Sequence, residues 1–390
     1  VLPGETLVVK NGRIVERQLR QALPSSHASV VQEDEALAQL DKTLNDTVEI
    51  HQRSDVPYGM FLSGGVDSSI MLAMMQRLNS KPVQAFTAGF SGTSTTDERA
   101  HARIVAKAAG AEHTEINFSD QDFWQLLPKI AQAMDDPAAD YAVLPTYLLA
   151  SKAKESGLKV ILTGEGGDEL FGGYARYRRA QRWRIFGGRP MRSKGIFEKM
   201  GVLRDDQSWR RGMLAAEAKN IQPGRSKLQI AQAIDCEDWL PNDLLGKLDR
   251  CLMAFGVEGR VPFLDQQISE FAYPLSDGLK IKRKHGKWLL RKWLEINFPV
   301  SDPFSRKRGF TVPVGEWILK RGRALGELLA KQSCIQEACN VEHISGLFQS
   351  SDPKASKAAW TLLFYTLWYR AHILGEEPTG DVMETLSEPI

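Results

Sequence analysis

The stretch SGGVDSS (Ser63–Ser69) decides the fold, because of what stands on either side of it. The residues before it, Tyr58–Leu62, form an apolar run with the length of a buried strand. The residues after it, Ile70–Met75, are apolar almost all round, as in a helix covered by a sheet. Paired glycines let the chain turn tightly and bring backbone N–H groups close to an anion. A strand, an anion-binding loop and a helix are therefore predicted in that order.

The side chains of this loop indicate which anion it binds. Ser63, Ser68 and Ser69 offer hydroxyl donors, and the following helix offers the positive end of its dipole. The carboxylate of Asp67 is unsuited to a bare phosphate but suits a Mg²⁺ ion carried by phosphates. The loop has neither the lysine of the Walker A motif nor the spacing of the dinucleotide fingerprint GxGxxG. The alternative is a serine-capped glycine turn at the start of a helix, with no ligand.

Strands and helices alternate around this loop. Strands are predicted at 83–90, 113–118 and 159–162, and helices at 34–51, 98–109, 122–134 and 141–155. Such alternation predicts an α/β fold with a parallel sheet and helices on both faces. Ligands of such sheets bind beyond the carboxyl ends of the strands, where this loop lies. After about residue 175 the strand signals become sparse, and we expect a mostly helical second half.

A second glycine-rich segment, GEGGDELFGGY (Gly164–Tyr174), follows the predicted strand at 159–162. Its five glycines and three acidic residues are poor material for a core, so we expect the backbone to pass close to a ligand. Asp168 can complete a Mg²⁺ site with Asp67, because one or two carboxylates plus phosphate oxygens are the usual ligands. Glu165 is placed to orient or deprotonate a nucleophile, or to hold an acyl-adenylate. The alternative is an acidic, flexible surface loop.

The first motif resembles the PP-loop of the ATP pyrophosphatases, which cleave ATP between the α and β phosphates and hold the leaving pyrophosphate. Together the two motifs resemble the synthetase domain of the glutamine-dependent asparagine synthetases. The resemblance covers residues 36–375 and implies a parallel-sheet core of the adenine nucleotide alpha hydrolase-like (PP-loop ATP pyrophosphatase) type. Further segments that share it are Asp135–Asp140, Lys247–Arg250, Glu258–Asp265, Lys287–Arg291 and Arg306–Pro313.

The resemblance also implies a reaction. Members of this family activate the aspartate side-chain carboxylate as β-aspartyl-AMP, and ammonia obtained from glutamine then displaces AMP to give asparagine. Carried onto this chain, it implies catalytic roles for Glu165 and for Lys287, which would neutralise charge on the α-phosphate. The implied Mg²⁺ ligands are Asp67 and Asp168. The residues implied in binding ATP and pyrophosphate are Leu62, Ser63, Gly64, Gly65, Asp67, Ser68, Ser69, Ala88, Thr163 and Gly164.

Two further patterns have helical spacing. Lys287 and Arg291 stand four residues apart, so one helix face can bring both side chains to one pocket, although a solvated basic helix end is the alternative. A second set, expected to pack in the core or in a subunit contact, consists of Trp360, Phe364, Trp368 and His372.

The resemblance divides the chain into three parts. Residues 1–35 are expected to be a hairpin around Asn11-Gly12, left from an N-terminal glutaminase domain, followed by a linker. Residues 36–380 are expected to be the synthetase domain, and 381–390 a tail. The glutaminase domain of the family begins with a nucleophilic cysteine, whereas this sequence begins with Val1 and has no cysteine before Cys236. We therefore expect the nitrogen to come from free ammonia, or from a glutaminase domain that is absent from this sequence.

Composition narrows the classes of function. The chain has 43% hydrophobic and 25% charged residues, the balance of an ordinary globular protein, and no apolar run approaches the roughly 20 residues that a bilayer requires. The net charge of +2 gives no general argument for binding nucleic acid or a membrane. The four cysteines form no CxxC pair and the histidines have no HxxxH spacing. We expect reduced thiols, no transition-metal site and a cytoplasmic location.

Other functions stay open at this point. A related amidotransferase, or an amide or lactam synthetase for another carboxylic acid, would have similar motifs, although β-lactam-forming relatives tend to have Tyr where this chain has Glu165. A tRNA-modifying PP-loop enzyme would suit the arginine-rich stretch 176–192, for which a solvated helix is the alternative. A non-catalytic nucleotide-binding module does not explain why Asp67, Glu165, Asp168 and Lys287 occur together. The sequence leaves open whether the protein forms a homodimer.

Overall fold

The computed structural model describes residues 1–21, 23–25, 30–90, 98–137, 140–183, 185, 187–192, 194–205, 210–305 and 312–388. Two of the segments that carry the family resemblance are affected. Residues 138–139 of the acidic segment and residues 306–311 of the basic segment lie outside the described residues.

The first element is the hairpin that the Asn11-Gly12 pair predicts. Strand β1 (Glu5–Lys10) pairs antiparallel with β2 (Arg13–Leu19). Both turn residues have positive φ, 49° for Asn11 and 72° for Gly12, which suits the twist of a two-residue hairpin turn. Every residue of β2 is exposed, so the hairpin contributes little to the core.

The central sheet has five parallel strands within the described residues. They are β3 (Tyr58–Phe61), β4 (Gln84–Phe90), β5 (Glu112–Phe118), β6 (Val160–Leu162) and β7 (Glu258–Arg260), and their order across the sheet is β5-β4-β3-β6-β7. The predicted parallel sheet is thus confirmed. The strand β3 lies in the middle, with its successors β4 on one side and β6 on the other, so the order reverses beside the glycine loop. Such a reversal opens a crevice at the carboxyl ends of the strands.

Helices surround the sheet and form nearly all of the second half. In chain order they are α1 (Glu33–His51), α2 (Val66–Leu78), α3 (Arg99–Ala108), α4 (Asp120–Ala133), α5 (Val143–Glu155), α6 (Gly167–Leu170), α7 (Ala175–Gln181), α8 (Arg211–Asn220), α9 (Lys227–Ile234), a π-helix (Asp235–Leu245), α10 (Gly246–Met253), α11 (Gln266–Ala272), α12 (Asp277–Lys280), α13 (Trp288–Asn297), α14 (Val314–Lys320), α15 (Gly322–Leu329), α16 (Ser333–Ala338), α17 (Ile344–Phe348), α18 (Pro353–His372) and α19 (Val382–Ser387). Short 3₁₀ helices span Pro262–Leu264, Pro299–Ser301 and Val341–His343, and a small hairpin joins β8 (Ile281–Lys282) to β9 (His285–Gly286). None of the described helices combines the length and the apolar character that crossing a bilayer requires.

The fifth strand, β7, is a difference from the sequence prediction, which has no strand after residue 175. It pairs with β6 through the register Ile161↔Gly259 and is reached only after almost a hundred residues of helical chain. Its three residues, Glu258, Gly259 and Arg260, contain two charges and a glycine, so neither alternation nor an apolar run marks them. A Cβ at Gly259 would lie 2.7 Å from the end of the Leu252 side chain in α10, so a larger residue there would displace that side chain.

The two faces of the sheet carry separate apolar cores. Ala85 and Val160 point to the face covered by α1, α2 and α13, while their neighbours Phe86 and Ile161 point to the face covered by α5 and α10. This is the alternation expected of a sheet covered on both sides. The expected pair of helical layers is therefore present, and both loops of interest emerge between them.

A third core, built from the C-terminal helices, packs against α4. Trp317 of α14 lies at its centre, with ring centroids 5.8 Å from Phe118 and 5.2 Å from Phe123. Trp360 and Phe364 of α18 are buried in the same core, as their helical spacing predicts. Trp368 is only partly buried, and its ring stacks on His372 at 5.4 Å.

The last described segment corrects the expectation of a C-terminal tail. Residues 382–387 form α19, whose N-terminal capping box joins Asp381 and Glu384. Val382 and Leu386 are buried in the C-terminal core, and Gln332 donates a hydrogen bond to the carbonyl of Leu386 at 3.0 Å. The sequence pattern does not indicate α19, because the helix has only six residues and few of them are apolar.

We predict that Leu386→Ala lowers the free energy of unfolding by about 2–3 kcal/mol, because it removes a buried side chain and leaves a cavity. Chemical denaturation of the variant and the wild type measures this difference. Ile373→Ala, at an exposed position just after α18, is the matched control and should change stability by less than about 0.5 kcal/mol. Equal, small effects for both variants would show that the segment is a tail after all.

Candidate functional site

The loop between β3 and α2 is held in shape by its own serine hydroxyls. The hydroxyls of Ser63 and Ser68 lie 3.0 Å apart, and the backbone N–H of Gly65 donates to Ser63 Oγ at 3.2 Å. Gly64 has φ +72°, and a Cβ on it would lie 3.1 Å from the backbone nitrogen of Ala102 in α3. The backbone therefore turns where only glycine fits well, and the predicted helix follows, although α2 begins at Val66, within the stretch predicted as the loop.

The second loop follows β6 and packs directly against the first. A Cβ on Gly164 would lie 2.8 Å from the Cβ of Asp67, and a Cβ on Gly167 would overlap the Asp67 carboxylate. Gly166, with φ +95°, turns the chain into α6. The glycines were expected to bring backbone close to a ligand. At 164 and 167 their contacts are with Asp67, so they make room for an acidic side chain.

Lys287 joins the two loops. It precedes α13 with φ +55°, an uncommon conformation for a residue with a side chain, and its backbone N–H donates to the carbonyl of Phe171 at 3.0 Å. Its ammonium group forms ion pairs with the Asp67 carboxylate and, at 2.9 Å, with Asp168 Oδ1. The side chain is buried, and a Cβ at Gly173 would overlap both Asp168 and Lys287.

Electrostatics keeps this lysine charged. Burial alone favours the neutral amine, but the negative charges of Asp168 and Asp67, together with their hydrogen bonds, raise the pKa of Lys287 above its ordinary value. The site thus holds a fixed positive charge between two carboxylates at any pH near neutrality.

The same two carboxylates fit the predicted Mg²⁺ ion. Asp67 and Asp168 are close enough to share one cation, since both bind the Lys287 ammonium group. Within the described ranges no cluster of three His, Cys, Asp or Glu side chains could hold a metal. A metal at Asp67 and Asp168 would therefore take most of its ligands from phosphate oxygens and water, which is how Mg²⁺ is commonly bound.

Two cavities meet at these residues. The smaller, of about 190 Å³, is lined by Gly64, Gly65, Lys287 and Arg291, so the predicted sharing of one pocket by Lys287 and Arg291 is confirmed. The larger, of about 310 Å³, lies on the other side of the loop. Its wall includes the predicted residues Leu62, Ser68, Ala88, Thr163, Gly164 and Glu165. Both cavities share Ser63, Gly65, Asp67, Glu98 and Asp168.

One predicted loop residue stands apart from both cavities. Ser69 is fully buried in α2, lines neither of them, and its hydroxyl has no hydrogen-bond partner within the described residues. Its backbone N–H donates to the carbonyl of Gly65 at 2.9 Å, which belongs to the first turn of the helix. A packing role suits this position better than contact with a ligand.

Glu165 is half-buried in the larger cavity among charged neighbours. Its pKa is raised, first by burial and then by the negative charges of Asp140 and Asp168, against the opposing effect of the Lys247 ammonium group. Lys247 is 4% exposed and donates to Asp140 Oδ2 at 2.6 Å. The sequence reading assigned no role to Asp140 or Lys247, although both fall in segments that carry the resemblance. They are 107 residues apart, and no local spacing predicts their ion pair.

Asp243 is a third charged neighbour that sequence reasoning missed. It lies in the π-helix directly before α10, and its pKa is raised to about 6 by burial and by Asp140, with Lys247 and Arg192 opposing. Wide π-helical turns are often found at functional sites. Glu165 and Lys247 line the larger cavity, whereas Asp140 and Asp243, which act electrostatically on Lys247, line a neighbouring cavity of about 260 Å³.

The prediction of a solvated helix for the arginine-rich stretch 176–192 is wrong in part. A solvated helix is wrong for Arg176 and Arg192, since both pair with the fully buried Asp235, at 2.7 Å and 3.4 Å. Both guanidinium groups also lie over the ring of Trp239, at 4.5 Å and 3.7 Å. Arg184 lies outside the described residues. This part of the stretch therefore anchors the π-helix that carries Asp243.

We predict that Gly173→Ala weakens binding of MgATP roughly tenfold or more, because the added methyl group separates Asp168 from Lys287. Isothermal titration calorimetry measures the affinity. Gly278→Ala is the matched control, since a Cβ there meets nothing within 4 Å. Equal affinity in the two variants would contradict the role given to the Asp168–Lys287 contact.

A second prediction concerns pH. The pKa of Asp243 rises from 3.8 to about 6 on folding, so its contribution to stability is fully present below pH 3.8 and is lost as the pH rises through 6. Asp243→Asn should therefore gain stability over the wild type between pH 4 and pH 7, by roughly 1–3 kcal/mol. Urea denaturation across this range tests it, with the exposed Asp55→Asn as control. A difference that does not vary with pH would refute the shift.

Known proteins resemble this chain over most of its length. Residues 39–370 match the family model described as asparagine synthase. The chain is 29% identical to asparagine synthetase (glutamine-hydrolyzing) 1 of Bacillus subtilis (strain 168), over 88% of this chain and 60% of that protein. It is also 29% identical to asparagine synthetase B (glutamine-hydrolyzing) of Escherichia coli (strain K12), over 77% of this chain and 48% of that protein. The chain thus spans about 60% or less of the length of these two relatives. The match over residues 39–370 shows that the chain belongs to the asparagine synthase family.

Proposed function

We propose that this chain forms an amide bond at the expense of ATP, which it cleaves to AMP and pyrophosphate. Aspartate is activated as β-aspartyl-AMP, and ammonia then displaces AMP to give asparagine. The observation that carries the proposal is the meeting of Asp67, Asp168 and Lys287 between two cavities of different character. An anion-binding loop lines one cavity, and an apolar wall with Glu165 lines the other.

The two cavities suggest how ATP lies. The β and γ phosphates suit the smaller cavity, because backbone N–H groups of the glycine loop and the cations Lys287 and Arg291 line it. The adenosine suits the larger one, whose wall includes Phe61, Phe86, Pro145 and Leu149. The α phosphate then lies where the cavities meet, beside Asp67, Asp168 and Lys287. This arrangement is what supports a PP-loop ATP pyrophosphatase type of core.

The charged residues at this meeting point have separate tasks in the proposal. Mg²⁺ held by Asp67 and Asp168 together with phosphate oxygens would offset the charge of the pyrophosphate that leaves. Lys287 would meet the charge that develops on the α phosphate as the carboxylate attacks, since a lysine acts on phosphate as a point charge. Because the Lys287 ammonium group is buried, its attraction for a phosphate is screened little by water.

Glu165 is proposed to act on the nitrogen nucleophile. Its raised pKa, caused first by burial and opposed by Lys247, brings the carboxyl group closer to the pH at which it can take up and release a proton. It lines the larger cavity together with Asp168, so it faces the space in which the acyl-adenylate would form. In the second step it would accept a proton from the attacking ammonia.

The source of ammonia and the limits of the domains belong to the same proposal. The two relatives described above are named as glutamine-hydrolyzing, and their additional length leaves room for a glutaminase domain. We propose that the synthetase domain begins at residue 36 and extends beyond 380 to include α19, and that β1 and β2 belong to a preceding glutaminase domain. A cytoplasmic location stays a prediction from the sequence, and a homodimer stays open.

The main alternative is a synthetase of the same family that acts on another carboxylic acid. The mixed charges around Glu165 favour an acid that itself carries charge of both signs, as aspartate does. The tRNA-modifying alternative is weakened, because Arg176 and Arg192 are engaged with Asp235 and Trp239.

We predict that the chain, given ATP, Mg²⁺, aspartate and ammonium, releases AMP and pyrophosphate in step with asparagine. Chromatography of the nucleotides and the amino acids measures all products. Glu165→Gln should lower asparagine formation by roughly 10²-fold or more while leaving thermal unfolding unchanged. Glu316→Gln, an exposed glutamate near the start of α14, should have no effect on activity. Release of ADP and phosphate would refute the proposal, because that is the other bond of ATP.

A further inference from the structure

The larger cavity has a cationic side chain to which the proposed reaction gives no task. Lys247 stands in the first turn of α10, is 4% exposed, and lines the cavity beside Glu165. Among the described residues that form this wall, it is the one lysine or arginine. Its ammonium group is already paired with Asp140, and a negatively charged ligand in the cavity would stabilise it further.

The other cations near the site are already engaged. The Lys287 ammonium group is bound by Asp67 and Asp168. The Arg291 guanidinium group donates to the carbonyl of Gly286 at 2.8 Å and to that of Pro303. Both line the smaller cavity, which suits phosphates. A second negative charge in the larger cavity can therefore be met, among its described wall residues, only by Lys247.

Asp140 fixes the direction of the Lys247 side chain. Its Oδ1 accepts a hydrogen bond from the backbone N–H of Ala142 at 3.0 Å, which ties the carboxylate to the start of α5. Its Oδ2 accepts from the Lys247 ammonium group at 2.6 Å. An ammonium group has three donors, so one bond to Asp140 leaves capacity for a ligand.

The surroundings also suit the positive end of an amino acid. Glu165 lines the same cavity and acts electrostatically on Lys247, and Asp243 acts on Lys247 from outside the cavity wall. Thr163 lines this cavity and is only 5% exposed, and its hydroxyl has no hydrogen-bond partner within the described residues. The Thr163 hydroxyl is itself buried, so the cavity wall offers the Lys247 cation and the Glu165 carboxylate to a small ligand.

We propose that Lys247, held in place by Asp140, binds the carboxylate of the acid substrate that does not react. This inference rests on the proposed function, in which one carboxylate of the acid attacks the α phosphate. A dicarboxylic amino acid such as aspartate keeps a second carboxylate, and burial without a cation would be unfavourable. Lys247 thereby makes the site selective for an acid with two carboxylates over one with a single carboxylate.

The test compares aspartate with β-alanine, which is aspartate without the α-carboxylate. Lys247→Met should weaken the apparent affinity for aspartate roughly ten- to a hundredfold, the range for losing a charged hydrogen bond. Its apparent affinity for β-alanine, measured as inhibition of aspartate-dependent pyrophosphate release, should change less than about twofold. The KM for ATP should also stay the same. Lys247→Arg should restore much of the preference, since it restores the cation.

Controls separate recognition from folding. Asp140→Asn keeps the lysine but removes its anchor, so it should weaken aspartate binding less than Lys247→Met does and leave β-alanine unaffected. Lys152→Met, on an exposed face of α5 where Lys152 pairs with Glu155, should change neither affinity. Thermal unfolding of each variant shows whether the fold is intact.

The outcomes distinguish this inference from the proposed function. If the wild type releases pyrophosphate with aspartate, and Lys247→Met loses affinity equally for aspartate and β-alanine, the inference is overturned and the proposed function stands. A loss confined to aspartate supports the inference. If the wild type releases no AMP and pyrophosphate with aspartate, the proposed function fails, and the inference fails with it.

Discussion

The ion-paired ammonium group of Lys287 is the interaction on which the rest of the site depends. It draws together three segments that are far apart in the chain: the first turn of α2, the first turn of α6 and the residue before α13. Each charge is largely removed from water, so each needs the others. Loss of one partner leaves a buried charge without compensation, which commonly costs several kcal/mol, about 3–5.

The glycines follow from this cluster. Gly164 and Gly167 have no room for a side chain because Asp67 occupies it, and Gly173 has none because Asp168 and Lys287 occupy it. Gly286, just before Lys287, is confined by the backbone of Gly172 and Gly173. These glycines therefore let two chain segments approach until their acidic and basic side chains meet. The two loops are rich in glycine because the acidic side chains and Lys287 need the space that larger residues would fill.

Contacts between distant segments limit what the sequence alone can predict about this site. The strand, loop and helix around Ser63–Ser69 were predictable, because periodicity and glycine spacing act within a few residues. Lys287 was found through a resemblance, since its neighbours in sequence are ordinary basic residues. The pair of Asp140 and Lys247 was given no role, and β7 was missed entirely, because each depends on contacts between distant segments. Local patterns therefore predicted the glycine loop, whereas the surroundings of Lys247 could be recognised only once the fold was known.

The two cavities carry more negative than positive side chains. Among the described residues, the walls of the two cavities contain five acidic residues, Asp67, Glu98, Glu165, Asp168 and Asp302, against three lysines or arginines, Lys247, Lys287 and Arg291. Such a site repels a free nucleotide and a free dicarboxylic acid, both of which are anions. A divalent cation that arrives with the phosphates reverses the sign at one end, and Lys247 provides the opposite charge at the other. The excess of acids therefore favours binding of the nucleotide together with its metal, and leaves recognition of the acid substrate to the lysine at the far end.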